Sequence, residues 1–126
     1  MALKEKQRQK WEEVLKELNL MEANDTVEDA VMANNREMMS WYKGNLIFTK
    51  ERIVFYSGAL GTSTFSIKYS DIRTIGKCMV SGFVPMGIKL EVFDPEKNKE
   101  VNHRISVSKR NKWIELLTSK SGVACS

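Results

Sequence analysis

Hydrophobic positions recur at every second residue through the middle of the chain and with helical spacing at its two ends. From Gly44 to about Val107, apolar and polar residues alternate in short runs broken by glycine, proline and charged clusters, which is typical of half-buried β-strands. Thr26–Met32 is predicted as a weak first strand, so about seven strands are expected. The alternating apolar positions are Leu46 and Phe48, then Ile53 and Phe55, then Phe65, Ile67 and Tyr69, then Ile72 and Ile75, then Ile88, Leu90 and Val92, and lastly Val101, Ile105 and Val107.

An amphipathic helix is predicted on either side of these strands. The second helix is expected from Lys109 to about Ser119, with Ser108 as its N-cap and Gly122 as a stop signal. The apolar stripe of the first helix must be buried against another surface. We expect that surface to belong to the same domain, and the alternative is a second subunit. The apolar positions at helical spacing are Trp11, Val14, Leu15 and Leu18 in the first helix, with Leu3 on the same side, and Trp113, Leu116 and Leu117 in the second.

This order of elements predicts a mainly β (α+β) fold. Seven short antiparallel strands close best as a barrel or as two packed sheets, with an amphipathic helix over one open end. A chain of 126 residues suits one domain, and 42% hydrophobic with 29% charged residues is an ordinary globular balance that argues against disorder. We divide the chain into an N-terminal amphipathic helix at 1–22, a β domain with its C-terminal helix at 23–120, and a short tail at 121–126.

Charge is unevenly distributed along the chain. Residues 1–35 carry five Lys and Arg against eight Asp and Glu, whereas residues 36–126 carry fifteen against eight, so the β-rich part holds the positive excess. An anionic partner is one interpretation, and a soluble β surface with protected edges is the other. No apolar run is long enough to cross a bilayer, and the N-terminus lacks an apolar signal region. With two isolated cysteines, these features favour the cytoplasm.

The stretch between Gly44 and Phe55 has the spacing G-x-L-x-x-T-x-x-R-x-x-F, and Ile67 to Ile72 follows as I-x-x-x-D-I. Together with Pro85 to Ile88 and the closing Trp113 segment, this resembles GRAM domains and related bacterial pleckstrin-homology-like (PH-like) modules over about residues 26–120. The resemblance implies a split barrel of seven strands with a C-terminal capping helix. It also implies binding of lipid headgroups or protein segments, without shared catalytic residues.

No arrangement of residues predicts catalysis, a metal or a cofactor. The single histidine, His103, shares strand parity with Val101 and Ile105 and is expected in the core or at a barrel end. Two distant thiols and one imidazole are too few for a metal site. No glycine is followed by the Lys-Ser/Thr pair of a phosphate-binding loop. We therefore expect a protein that is not an enzyme.

The connection from Asn34 to Lys43 is the first candidate binding site, because it is unusually apolar and aromatic for a loop. Aromatic side chains flanked by cations suit a membrane interface. The alternative is that the segment is the first half of a longer second strand with Trp41 in the core. Its candidate ligand-binding residues are Arg36, Met39, Trp41 and Lys43.

Two further candidates lie elsewhere. Lys109, Arg110 and Lys112 fall in the first turn of the last helix, where cations oppose the helix dipole and a bound anion would offset that. Solvated surface charge is the alternative. Leu60 and Phe83 lie in glycine-containing loops that could touch lipid or protein, or fold back on the barrel.

The sequence thus favours a non-catalytic binding module that associates weakly with anionic membrane lipid, peripheral to the inner face of the membrane. The alternative is a protein-interaction or self-association module that uses a barrel edge or the N-terminal helix, and a homodimer is compatible with it. Nucleic acid is disfavoured, since the charge excess is modest and no stacking motif is evident.

Overall fold

The computed structural model describes residues 4–37, 40–57, 63–80 and 84–126. The helices and strands follow the order expected from the sequence, with a short 3₁₀ turn at Tyr69–Asp71 before the fifth strand. The elements are α1 (Glu5–Glu17), β1 (Val27–Glu37), β2 (Ser40–Thr49), β3 (Arg52–Tyr56), β4 (Thr64–Lys68), β5 (Ile72–Val80), β6 (Val84–Asp94), β7 (Lys99–Ser106) and α2 (Arg110–Ser121).

All seven strands belong to one antiparallel sheet in the order β4-β3-β2-β1-β7-β6-β5. β1 holds the two halves together, because it pairs with β2 over its whole length and with β7 only through Asn34–Arg36. A sheet joined through so short a ladder can bend there and wrap around one core. The expected mainly β fold with two helices is confirmed.

The main core fills the inner face of this bent sheet. Leu46, Phe48 and Phe55 from the first half meet Ile88 and Leu90 from the second, and all five are fully buried. α2 covers one open end and packs Trp113, Ile114 and Leu117 onto this core. The Trp113 ring stacks on Phe48 with a centroid separation of 5.1 Å. The expected capping helix with one large aromatic residue is therefore present.

A second, smaller core lies on the opposite face of β1, β2 and β3, under α1. Ile47 and Val54 have strand parity opposite to Leu46 and Phe55, and they are fully buried against Leu15 of α1. The carboxylate of Glu12 accepts a hydrogen bond from the Val27 main-chain N–H at 2.9 Å and fixes the helix to the start of β1. Leu15 and part of Trp11 thus pack on the domain that α1 belongs to, as expected, whereas Leu18 at the end of the predicted stripe is 47% exposed.

The strands are longer than the sequence indicated in three places. β1 extends to Glu37 and β2 begins at Ser40, so most of the Asn34–Lys43 connection is strand and its interpretation as a loop was wrong. β6 begins at Val84, so Pro85, Met86 and Gly87 belong to a strand, although the glycine and proline between Ser81 and Gly87 had predicted a loop there. Both segments are rich in polar, proline or glycine residues, yet neighbouring strands supply their hydrogen-bonding partners.

The start of the second helix also differs from expectation. Lys109, and not Ser108, occupies the N-cap position, with left-handed backbone at φ 56°, and makes no side-chain cap. The helix then continues to Ser121, and Gly122 ends it in the left-handed conformation as the sequence predicted. The tail returns to the sheet, where Cys125 forms a parallel bridge with Ile75 at the edge of β5. Among the described residues, no helix has the length and apolar character needed to cross a bilayer.

Candidate functional site

The β1–β2 hairpin places three of the candidate residues on one surface. Arg36 pairs directly with Trp41, and Asn34 pairs with Lys43. Directly opposed residues in an antiparallel ladder share a face, and residues two apart along a strand do too. The intervening Asn35 is 1% exposed and faces inward. Arg36, Trp41 and Lys43 therefore lie on the outer face of the sheet, where Trp41 is half-buried and Lys43 exposed.

The same outer face continues across β7 and β6 with two further cations. Arg36 pairs with Arg104 of β7, and Arg104 pairs with Lys89 of β6. Their strand neighbours Ile105 and Ile88 are fully buried, so Arg104 and Lys89 point outward. We call Arg36, Arg104 and Lys89 the basic row. Adjacent strands are about 4.8 Å apart, so three cationic side chains begin within about 10 Å of one another.

Arg104 and Lys89 were not predicted as site residues from the sequence. Each alternates with apolar residues along its strand, as many ordinary surface cations do. Their convergence with Arg36 depends on the pairing of β1 with β7, which joins residues 68 positions apart in the chain. The signal that could have found them is their shared outward parity combined with the strand order of the fold that the sequence already suggested.

The basic row concentrates positive charge. Like charges directly opposite one another destabilise a sheet by a few tenths of a kcal/mol or more per pair. The carboxylate of Glu91 lies two residues from Lys89 on the same face, but it accepts a hydrogen bond from the Thr74 hydroxyl at 2.6 Å. A phosphate placed over the row could accept charge-assisted hydrogen bonds from several of its donors at once. The arrangement suits an anion, with the aromatic ring of Trp41 beside it.

The basic residues near α2 do not join this row. The Arg110 guanidinium donates hydrogen bonds to the main-chain carbonyls of Cys78 on β5 at 3.2 Å and Gly87 on β6 at 3.3 Å, three and two strands away from Arg36. The Lys112 ammonium lies 4.6 Å from the centroid of the Trp113 ring. Lys109 is exposed. Arg110 and Lys112 therefore make contacts within the protein, to main-chain carbonyls and to the Trp113 ring. The candidates Met39, Leu60 and Phe83 lie outside the described residues.

A polar cluster occupies the inner side of the same hairpin. The Asn35 amide donates to the Ser63 hydroxyl at 2.7 Å, and that hydroxyl donates to the Glu37 carboxylate at 3.1 Å. His103 lies on the inward-facing side of β7, with its ring centroid 4.5 Å from that of Phe65. Burial lowers the pKa of His103, and the nearby Glu37 carboxylate opposes the shift. The histidine is thus packed in the barrel, as expected.

No group of three or more His, Cys, Asp or Glu side chains within residues 4–37, 40–57, 63–80 and 84–126 is placed to hold a metal ion. Tyr69 has a raised pKa because it is buried, and its hydroxyl donates to the Thr49 carbonyl at 2.7 Å. That geometry gives Tyr69 a structural contact. The outer face of β1, β2, β6 and β7, which carries the basic row and Trp41, is therefore the candidate ligand-binding surface.

Similar solved structures share the fold at low sequence identity. The C-terminal domain of an unknown protein from Leishmania infantum has a TM-score of 0.68 at 20% identity, covering 90% of this chain and 95% of that one. The hSac2 domain from the human phosphoinositide phosphatase Sac2 has a TM-score of 0.61 at 8% identity, covering 94% and 88%. No protein-family model and no curated protein matches the sequence.

A third similar structure is the PH domain of Slm1, solved in complex with inositol 4-phosphate. It has a TM-score of 0.56 at 13% identity and covers 74% of this chain and 94% of that domain. At these identities the likeness shows the fold alone. The seven-stranded sheet with its C-terminal helix is thus a PH-like fold, preceded by an N-terminal helix.

Proposed function

We propose that this protein is a non-catalytic module that binds the headgroups of anionic membrane lipids through the outer face of its central strands. The observation that carries the proposal is the basic row, in which Arg36, Arg104 and Lys89 lie opposite one another on three adjacent strands. Trp41 and Lys43 extend this surface along β2. Aromatic rings favour headgroup depth, and Lys and Arg side chains favour phosphates.

The fold neighbours support a phosphate-bearing ligand. The Slm1 PH domain, which has the same fold, was solved with inositol 4-phosphate. Membership of the GRAM family and a bacterial source are parts of the same proposal and rest on the sequence resemblance. A cytoplasmic location at the inner membrane face is also part of it and rests on the two isolated cysteines and on an N-terminus without an apolar signal region. The absence of catalysis is also part of it, since the chain has one histidine and this ring packs against Phe65.

Co-sedimentation with vesicles tests the proposal. Vesicles of phosphatidylcholine alone should leave the protein in solution, and vesicles that also contain phosphatidylserine should bind it. Binding should weaken as salt is raised, because the side chains of the basic row are only half-buried and salt ions screen their attraction to the lipid phosphates. Arg104→Glu should lower the apparent affinity about thirtyfold, since each cation near an anionic surface contributes about 1 kcal/mol and reversing the charge changes the attraction by about 2 kcal/mol.

The matched control is Lys97→Glu, which makes the same change in net charge at an exposed position in the β6–β7 turn. If the two variants lose affinity equally, the attraction depends on overall charge and the basic row is not the site. If the unmodified protein does not bind anionic vesicles at low salt, the proposed function is wrong.

A second candidate function is self-association through the edge of β5. Met79 is 58% exposed and Val84 41% exposed at the β5–β6 end of the sheet, which leaves apolar side chains beside an edge strand. Light scattering should then show a dimer that Met79→Lys converts to a monomer. A monomer at all concentrations would remove this candidate. In the other interface suggested by the sequence, the stripe of α1, Leu15 is already buried against the sheet and Trp11 is partly buried there.

A further inference from the structure

A groove between α1 and the outer face of the sheet encloses about 500 Å³. Its floor comes from β1, β2 and β3, and its wall is the side of α1 above the second core. Trp11 meets Tyr56 edge-on at 6.3 Å and closes part of the floor. Met32 is 60% exposed although it lies in the middle of a central strand. We call this the α1 groove, and its apolar lining includes Trp11, Val14, Ala30, Met32 and Tyr56.

The α1 groove and the basic row lie on the same surface of the same strands. Met32 and Arg36 are four residues apart on β1 and share the outer parity. At about 3.3 Å per residue, their main-chain positions are about 13 Å apart. β2 repeats the arrangement with Asn45 beside the groove and Trp41 beside the row. The α1 groove and the basic row are thus close enough for one ligand molecule to contact both.

This juxtaposition suits a ligand with an anionic end and an apolar end. We propose that the ligand is a single anionic lipid whose acyl chain lies in the α1 groove while its phosphate lies on the basic row. The proposal rests on the proposed function, and it goes further because it assigns a site to the apolar part of the molecule. Binding of a headgroup at the surface of an intact bilayer would leave the α1 groove without a role.

The floor of the groove favours an acyl chain over a peptide. It is the face of a sheet, and the main-chain groups of β1 and β2 are already paired in their ladder. An extended peptide laid there would bury N–H and C=O groups with no partners, which is costly, whereas a hydrocarbon chain has none to satisfy. Methionine adapts to irregular apolar partners, so Met32 suits contact with a flexible chain. Lys10 and Gln7 on α1 keep the rim polar.

The test compares a headgroup alone with the same headgroup carrying acyl chains of increasing length. Glycerol 3-phosphate and monoacyl glycerol 3-phosphates, kept below their micelle concentrations, are titrated into the full chain and followed by calorimetry. The inference predicts that affinity rises about two- to fourfold for each added methylene until the groove is filled. Met32→Gln should flatten this dependence and leave the affinity for glycerol 3-phosphate within about twofold.

Met79→Gln is the matched control, because Met79 is exposed to nearly the same extent on a different strand. It should keep the full dependence on chain length. A chain brominated near its end should quench the fluorescence of Trp11, and Trp11→Phe should lose that quenching while Trp41 and Trp113 remain. These two readouts do not depend on any change in stability.

The outcomes separate this inference from the proposed function. Binding of glycerol 3-phosphate with no gain from the acyl chain overturns the inference and leaves the headgroup site standing. A gain that survives Met32→Gln and comes without Trp11 quenching also overturns it, because the chain then lies elsewhere. Failure of both glycerol 3-phosphate and anionic vesicles to bind removes the proposed function and the inference with it. Displacement of the lipid by an acidic, apolar peptide at lower concentration would assign the groove to a peptide instead.

Discussion

The hydroxyl of Thr49 donates a 2.7 Å hydrogen bond to the carboxylate of Asp25, and both residues are almost completely buried. The same hydroxyl oxygen accepts the main-chain N–H of Arg52 at 2.7 Å, which closes the turn between β2 and β3. The other oxygen of Asp25 accepts the main-chain N–H of Thr26 at 2.8 Å. One side-chain pair therefore fixes the β2–β3 turn to the segment that leads into β1.

Thr49→Val should test this relationship, because valine has nearly the same shape without the hydroxyl. The substitution leaves a buried carboxylate oxygen and the Arg52 N–H without their partner, so we expect the free energy of unfolding to fall by about 3 kcal/mol. Urea denaturation measures it. Thr64→Val, at an exposed position of β4, is the control and should change stability by less than about 0.5 kcal/mol. A Thr49→Val protein as stable as the control would show that the pair is dispensable.

Gly44→Ala is expected to be destabilising for a steric reason. A Cβ atom at this position would lie 2.6 Å from the Tyr56 carbonyl oxygen and 2.8 Å from the Ser57 Cα, both in the main chain of the neighbouring segment. Main-chain atoms cannot rotate away, so we predict a loss of about 3 kcal/mol on thermal or urea unfolding.

Gly76→Ala on β5 is the matched change for this experiment. The nearest atom to its added Cβ would be the Ser126 hydroxyl oxygen at 3.8 Å, an ordinary contact. This variant should be neutral or stabilised by up to about 1 kcal/mol. Equal effects at the two glycines would contradict the steric explanation.

The protein should lose stability in mild acid through His103. Burial lowers the pKa of this ring below its usual value of 6.5. Protonation therefore favours the unfolded chain, so the stability due to the neutral ring is complete above pH 6.5 and is lost as the pH falls below it. Because the chain has one histidine, its proton resonance can be assigned without ambiguity and its titration midpoint measured directly. His103→Gln should show a weaker pH dependence of unfolding between neutral pH and pH 5. A midpoint above 6.5 would contradict the prediction.

The ion pair of Glu22 should make stability depend on pH in a more acidic range than His103 does. The Arg52 guanidinium donates to both of its oxygens, at 2.9 and 2.6 Å, and lowers the pKa of Glu22 from 4.5 to about 2. Its stabilising effect is therefore present above pH 4.5 and is lost as the pH falls toward 2.

Glu22 is substantially exposed, so solvent screening limits the effect, and Glu22→Gln should cost only about 0.5–1 kcal/mol at neutral pH. Urea unfolding at pH 7 and pH 3 should show this difference shrinking in acid. Glu115→Gln, on the exposed side of α2, should show no such trend. A cost for Glu22→Gln that stays constant with pH would argue against the ion pair.

The sequence predicted the parts of the fold that depend on local alternation. Leu46 with Phe48 and Ile88 with Leu90 lie on the inner face as expected, because a period of two directly selects one side of a sheet. The second half of β1 was missed because its Asn34, Asn35 and Arg36 carry no apolar signal. Asn35 is nonetheless buried, and its side-chain N–H donates to the hydroxyl of Ser63, which lies just before β4 and is distant in the chain.

Only part of the candidate surface could be predicted from the sequence. Arg36, Trp41 and Lys43 were found because they are close together in the chain and belong to one hairpin, in which Arg36 pairs with Trp41 only five residues away. Arg104 and Lys89 were not, because the β1–β7 register that brings them to Arg36 is determined by closure of the whole sheet. The α1 groove was missed for the same reason, since it exists only where the helix docks beside Met32.

The end of β2 lies between the two cores described above. Phe48 belongs to the main core and Ile47 to the core under α1, and both are fully buried on opposite faces of one strand. Local fraying cannot expose their main-chain amides to solvent, because β2 forms part of both cores and neither core can open without disrupting the other. Hydrogen–deuterium exchange at Ile47 and Phe48 should therefore proceed only through complete unfolding and report the full stability of the molecule.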